Sequence, residues 1–327
     1  MSNSNLVTTT QNTLVQHDAG IKEAKRLLSV SGRENTNKTY INGLRQYLSL
    51  GYKLPTTTLQ LMSFIGQLKL KSLKASTAQT YIAAVMKAHT GLGYSKIESS
   101  EVDEALIGYR NESPATQRKG EVLSEAELLK VTQYLKSSEK PSEIRDRALF
   151  LVLLWSLCRT EEIASMRLSE VKMLGDELSL SYPKAKNSIQ SEIKRLPNLS
   201  QIGSDFNFLC PYNAMTDYLN VLNSKSGCVF KSSLRNGELK DKDLPARSIR
   251  GIILRILNNA GIDADRAKSI NGHSLRHTIA TFANKNNLST LAIKNLGNWS
   301  SDKAVAAYSG NHNTQSIRTI ADALINN

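Results

Sequence analysis

One stretch of the sequence leaves the chain few choices. From Ala148 to Cys158 it reads ALFLVLLWSLC, apolar at every position except Ser156. A membrane-crossing helix needs about 20 apolar residues, so this stretch is too short to span a bilayer. It is also too evenly apolar for a helix with one wet face. It is expected to be a helix buried on all sides, with the rest of a domain wrapped around it. The 327-residue chain has the material for this, since 40% of its residues are hydrophobic. At about 100–200 residues per domain, two domains are expected.

Charge narrows the class further. The chain carries 42 Lys+Arg against 29 Asp+Glu, a net charge of +13. Residues 35–97 contain no Asp or Glu, yet hold Lys38, Arg45, Lys53, Lys69, Lys71, Lys74, Lys87 and Lys96. An ordinary solvated face mixes both signs, so this segment is expected to meet a polyanion. The first residues, Met1 to Thr13, are polar and lack the apolar core of a secretion signal. Cys158, Cys210 and Cys228 are odd in number and widely spaced, giving neither a disulfide framework nor a zinc pattern. A cytoplasmic protein of a bacterium, or one encoded by a phage, plasmid or mobile element, is expected.

Residues 1–17 are rich in polar residues and are expected to be flexible. Residues 18–110 carry helical periodicity and predict a small all-helical domain. One helix, capped at Asn35 or Thr36, puts Tyr40, Leu44, Tyr47 and Leu48 on one face. Another carries Leu59, Met62, Phe64 and Ile65. A third, capped by Ser76, carries Tyr81, Ile82, Val85 and Met86, and a short one covers Glu101 to Tyr109. Residues 111–120, NESPATQRKG, read as a linker. Residues 121–327 form the second domain. It opens with a capping box at Ser124 and Glu127, is mostly helical, and includes one small antiparallel sheet over Leu178 to Leu196 with its turn near Lys184–Ser188.

The chemistry concentrates in the second domain. Arg159 and Glu162 follow the apolar helix, three residues apart. His273 and Arg276 stand three apart at a helix start, in SINGHSLRHTIA. Trp299 and then Tyr308 follow, nine residues apart. Each has an ordinary reading alone. The first two make a surface ion pair, the histidine a helix-start hydrogen bonder rivalled by His277, the tryptophan a core residue, and the tyrosine one of 11.

Their order and spacing carry more weight. Arg159-x-x-Glu162, a lysine on a β-turn, His273-x-x-Arg276, Trp299 and Tyr308 together resemble the signature of the tyrosine recombinase, or phage integrase, family. Most members have a second histidine where this chain has Trp299, and tryptophan there resembles the Cre-like branch. The chain departs from many members by having Cys158 before the first arginine. The turn lysine is ambiguous, because Lys184 and Lys186 both fit and Lys194 lies just beyond.

The resemblance implies a site-specific DNA recombinase that joins Tyr308 to DNA as a 3′-phosphotyrosine and passes through a Holliday junction. Arg159 and Arg276 would hold the scissile phosphate by bidentate hydrogen bonds, with Trp299 adding an N–H donor. His273 would take the tyrosine proton or hold the phosphate, and Lys186, with Lys184 as the alternative, would protonate the leaving oxygen. Glu162 would orient Arg159 and His273. No metal and no cofactor are called for. The implied partner is double-stranded DNA with an inverted-repeat site, bound by a homotetramer assembled through the C-terminal helix, residues 314–325. The two domains would close on the duplex as a clamp. Expected DNA contacts are Arg247 and Arg250 in the second domain, and Lys38, Thr77, Thr80 and Lys87 in the first. The alternatives are a type IB topoisomerase, a hairpin telomere resolvase, or a non-catalytic DNA binder. The last has no use for the reactive set.

Overall fold

The computed structural model describes residues 34–112, 121–183 and 191–299. The chain divides into two compact units between Gln117 and Arg118.

In the first unit the described residues form four helices, α1 (Glu34–Ser49), α2 (Thr58–Leu70), α3 (Ala75–Gly91) and α4 (Ser100–Glu112). Thr57 starts α2 with a reciprocal capping box, its side chain bonded to Gln60 N and its own N–H to the Gln60 side chain. The core is Tyr47, Leu61, Phe64, Leu68, Ile82, Val85 and Val102. Two expected inward residues point outward: Leu48 is 48% and Leu59 77% exposed. The buried stripe of α2 runs through Leu61, Phe64, Ile65 and Leu68, the i, i+3, i+4, i+7 face, and Leu59 lies off it. Helix α4 also runs past the expected end at Tyr109, through Asn111 and Glu112. Its last turn is fastened from outside, because Tyr109 OH donates to Leu73 O and Lys69 pairs with Glu112.

The second unit is built around the apolar stretch. Helix α6 (Pro141–Ser156) is buried from Ala148 to its end, together with Arg145 and Asp146. The sheath comes from α5 (Glu125–Lys136), α8 (Pro211–Val221), α9 (Ala246–Asn259), α11 (Gly272–Lys285) and strands of two sheets. Burying each large apolar side chain of α6 contributes about 1.5–3 kcal/mol. Its most deeply buried polar side chains are bonded. Trp155 Nε1 donates to Leu209 O at 2.9 Å, and Arg145 bonds Asp146 Oδ1 through Nε and Nη2 at 2.9 and 2.7 Å. The capping box at Ser124 and Glu127 forms as expected, with Ser124 N donating to Glu127 Oε2 at 2.7 Å.

Short α7 (Thr160–Ser165) leads into a three-stranded antiparallel meander, β1 (Val171–Leu174), β2 (Glu177–Pro183) and β3 (Ser191–Pro197). Register pairs Leu178 with Leu196 and Leu180 with Lys194. A second small sheet, the hairpin β4 (Lys231–Ser233) and β5 (Leu239–Asp243), departs from the expected single sheet. Its sequences KSS and LKDKD lack apolar alternation, so periodicity gives no sign of it. Two further helices complete the described fold, α10 (Ala264–Ser269) and α12 (Thr290–Gly297). Among the described residues no helix is long and apolar enough to cross a membrane.

Candidate active site

The site begins where α6 stops. Leu157 turns into the left-handed region at φ 54°, and Arg159 becomes the N-cap of α7. Glu162, in the first turn, accepts from Arg159 N at 2.6 Å and from Arg159 Nη1 at 2.7 Å. One carboxylate thus caps the helix and steers the arginine. The Arg159 side chain stays 60% exposed.

A second corner forms at the start of α11. Asn271 caps it, its Oδ1 accepting from His273 N at 2.8 Å and Ser274 N at 3.2 Å. Gly272 permits close approach to α7, because a β-carbon there would lie 2.8 Å from Thr160 Oγ1. His273 is exposed, and its ring stands edge-on to that of His277, centroids 4.2 Å apart. Partial burial of the ring, then the cations of Arg276 and Arg159, hold its pKa below the ordinary histidine value. His277, pressed by burial, His273 and Arg276, falls to about 4.

Arg276 is buried, only 3% exposed. Its Nη1 donates to Leu157 O and its Nη2 to Gly297 O, so one guanidinium ties the α6–α7 turn to the end of α12. The ring of Trp299 covers it, 4.4 Å from centroid to Cζ, in a cation–π contact. A β-carbon at Gly297 would fall 2.0 Å from that ring, so the tryptophan lies where only glycine leaves room. Trp299 was expected as an N–H donor, and here its face packs on Arg276.

Lys194 also belongs to this neighbourhood. On β3 the inward residues are Glu192, Lys194 and Leu196, and Ile193 and Arg195 point out. Lys194 Nζ donates to Asn295 O at 3.0 Å and to Leu296 O. Burial lowers its pKa to about 8, and Arg276 acts in the same direction, against Cys158, Glu192 and Glu162. Beside it, Asn298 in the left-handed C-cap of α12 bonds Tyr182 OH and Glu192 Oε2. Burial pushes the Tyr182 hydroxyl far above its ordinary value.

Four predicted residues from distant segments, Arg159, His273, Arg276 and Trp299, are therefore brought together, with Glu162 bonded to Arg159. No bond links Glu162 to His273 among those observed. Lys184, Lys186, Tyr308 and the segment 314–325 lie outside the described residues. Asn271, Gly297 and Asn298 were not singled out for the site by the sequence, and Lys194 was noted there only as lying beyond the turn. The only available signs were the Gly-Asn pair ending α12 and the inward phase that Lys194 shares with Leu196.

The expected DNA contacts occupy two surfaces. Arg247 and Arg250 are exposed on the first turns of α9, three apart on one face. In the first unit every basic residue of 35–97 is exposed, Lys38 included. Lys87 lies over the Tyr40 ring, 5.5 Å from its centroid. Thr77 and Thr80 are half-buried in the first turns of α3, and Thr80 Oγ1 donates to Ser76 O at 2.9 Å.

The model of the phage integrase family matches residues 121–315. The chain belongs to the phage integrase family. Members are tyrosine recombinases, the class that the ordered residues resemble. The chain is 25% identical over 299 residues to an integrase/recombinase XerD homologue of Selenomonas ruminantium, covering 88% of this chain and 84% of that protein. Two solved structures share the fold of this integrase family member. The Tn1549 transposon integrase in complex with transposon right-end DNA matches with TM-score 0.61 and 13% identity, over 93% of this chain and 96% of that one. The XerH site-specific recombinase in a post-cleavage complex with palindromic difH matches with TM-score 0.60 and 14% identity, over 94% and 86%.

Proposed function

We propose that this site-specific DNA recombinase cleaves and rejoins DNA through Tyr308, on a phosphate gripped beside Arg159, His273, Arg276 and Trp299. The gathering of Arg159 with His273, Arg276 and Trp299, which follow it by more than a hundred positions, supports the reading most directly.

In-line attack by the Tyr308 oxygen forms a bond to phosphorus and breaks the bond to the deoxyribose 5′-oxygen. Negative charge builds on the non-bridging oxygens, and two arginine cations offset it at any physiological pH. Each well-aimed donor contributes about 3–4 kcal/mol in the transition state. A tyrosine hydroxyl has a pKa near 10 in water, so its proton needs an acceptor. His273, kept neutral by its depressed pKa, is suited to take it. The leaving alkoxide takes a proton from the turn lysine, Lys186 or Lys184. The product is a 3′-phosphotyrosine and a free 5′-hydroxyl, and attack by another strand's 5′-hydroxyl reverses the step without ATP.

The DNA partner fits the charge. The exposed basic residues of the first domain, 18–110, grip phosphates across the 111–120 linker from the catalytic domain, 121–327, as the second half of a clamp. Arg247 and Arg250 reach base edges or phosphates, and Lys38, Thr77, Thr80 and Lys87 reach the backbone. Binding then weakens steeply as salt rises. Four copies meet on two inverted-repeat sites through residues 314–325, and the protein works in a bacterial cytoplasm. Deleting the chain after Ser309 is expected to abolish recombination and spare half-site binding.

The test is a DNA half-site nicked near the cleavage point, incubated with protein and then denatured. The wild type is expected to become covalently linked to DNA, and Tyr308→Phe to bind without forming an adduct. Adduct formation by the Phe variant would overturn the assignment.

A further inference from the structure

The proposed reaction takes a proton from a turn lysine, yet the lysine packed into the described site is Lys194. We propose that Lys194 is a positioning residue, fastening the C-terminal end of α12 to strand β3 so that Trp299 stays seated on Arg276. The proposal rests on the recombinase reading above.

Three consecutive carbonyls end α12, and side-chain cations from two other elements take all of them. Lys194 of β3 holds Asn295 O, at 3.0 Å, and Leu296 O. Arg276 of α11 holds Gly297 O. The next residue, Asn298, turns left-handed at φ 49° and bonds β2 and β3 through Tyr182 and Glu192. Trp299 follows, its N–H returning to Lys294 O at 3.0 Å. The ring position is thus set by the backbone of 295–298, and that backbone is held on one side by Arg276 and on the other by the hairpin.

A lysine suits this place for a geometric reason. Strand β3 passes the helix end at a distance that a four-carbon stem spans, and an ammonium presents three donors to diverging carbonyls. Without it, Asn295 O and Leu296 O lose their cation from the sheet, and a shift of about 1 Å at Trp299 and Arg276 moves donors off the phosphate. The role differs from that of the turn lysine, since the Lys194 Nζ is engaged by the backbone carbonyls at the end of α12.

The test compares wild type, Lys194→Met and Lys194→Arg on the nicked half-site, with binding and thermal midpoint measured alongside. Met keeps the stem and removes the donors. Lys194→Met is expected to bind the half-site within about twofold of wild type and to form the Tyr308 adduct at least about tenfold more slowly. Lys194→Arg, which keeps cationic donors, is expected to recover part of the rate. A second substrate carries sulfur in place of the bridging 5′-oxygen, a leaving group that needs no proton. It is expected to leave Lys194→Met slow, because the defect lies in placement.

Wild-type cleavage rate in Lys194→Met would overturn the proposal. So would full rescue by the sulfur substrate, which would make Lys194 the proton donor itself. If Lys194→Met does not fold, Asn298→Ala tests the same fastening from its other strand with Lys194 intact, and unchanged cleavage there would overturn it. No adduct from wild type would instead count against the recombinase reading.

Discussion

The two arginines of the site are the same side chain put to opposite structural uses. Arg159 lies 60% exposed, bonded among the described residues to a carboxylate one helical turn away. Arg276 is 3% exposed, bonded to carbonyls on both sides of the site and roofed by an indole. Removing the first leaves its surroundings intact. Removing the second leaves two carbonyls and a ring without the group that organises them. In this integrase family member one arginine stands exposed at the mouth of the site, and the other is its internal tie.

Substitutions can break that contrast. Arg276→Ala is expected to cost about 2–6 kcal/mol of stability and to abolish cleavage, because two buried carbonyls each lose their donor at about 1–3 kcal/mol. Denaturant unfolding and the half-site assay read the two effects. Gly297→Ala comes next. Its new methyl overlaps the Trp299 ring, so about 1–3 kcal/mol of stability is lost and the indole is forced off Arg276, visible as a change in tryptophan fluorescence. Arg159→Ala is expected to change stability by no more than about 1 kcal/mol, yet to slow cleavage by roughly 100- to 1,000-fold. A large fall in its unfolding midpoint would erase the distinction.

Acid sharpens the comparison from between the two arginines. His273 and His277 have folded pKa values below the ordinary histidine value, His277 at about 4. The unfolded chain therefore binds more protons than the folded one in this range. Stability is fully present above about pH 6.5 and is lost as pH falls towards 4. His277→Asn is expected to flatten part of that slope in denaturation measured across pH. The smallest effect belongs to Glu162→Gln. It keeps an acceptor for Arg159 N and weakens the hold on the guanidinium, slowing cleavage while moving stability by a few tenths of a kcal/mol.

What the sequence made legible follows the range of the interaction. The Arg159–Glu162 unit and the Ser124–Glu127 cap lie within one turn, so spacing alone announces them. The all-round apolar stretch announces a buried α6. Arg276 and Trp299 were found by order along the chain, but their stacking was not. That contact needs Gly297 to remove a β-carbon and Leu157 to turn left-handed, and neither is visible in a pattern of residue types. Lys194 was passed over for the same reason. One lysine in a strand looks like any other until the strand is laid against α12. The β4–β5 hairpin escaped because polar strands carry no period.

The end of α12 has one more consequence. Aligned peptide dipoles leave roughly half a negative charge at the end of a helix, which repels any anion brought near it. In the proposed reaction that end lies beside the phosphate. Lys194 and Arg276 add two positive charges directly onto its last carbonyls. The negative end of the dipole is thereby offset by cations built into the protein itself, and no counter-ion has to be recruited to that corner of the fold.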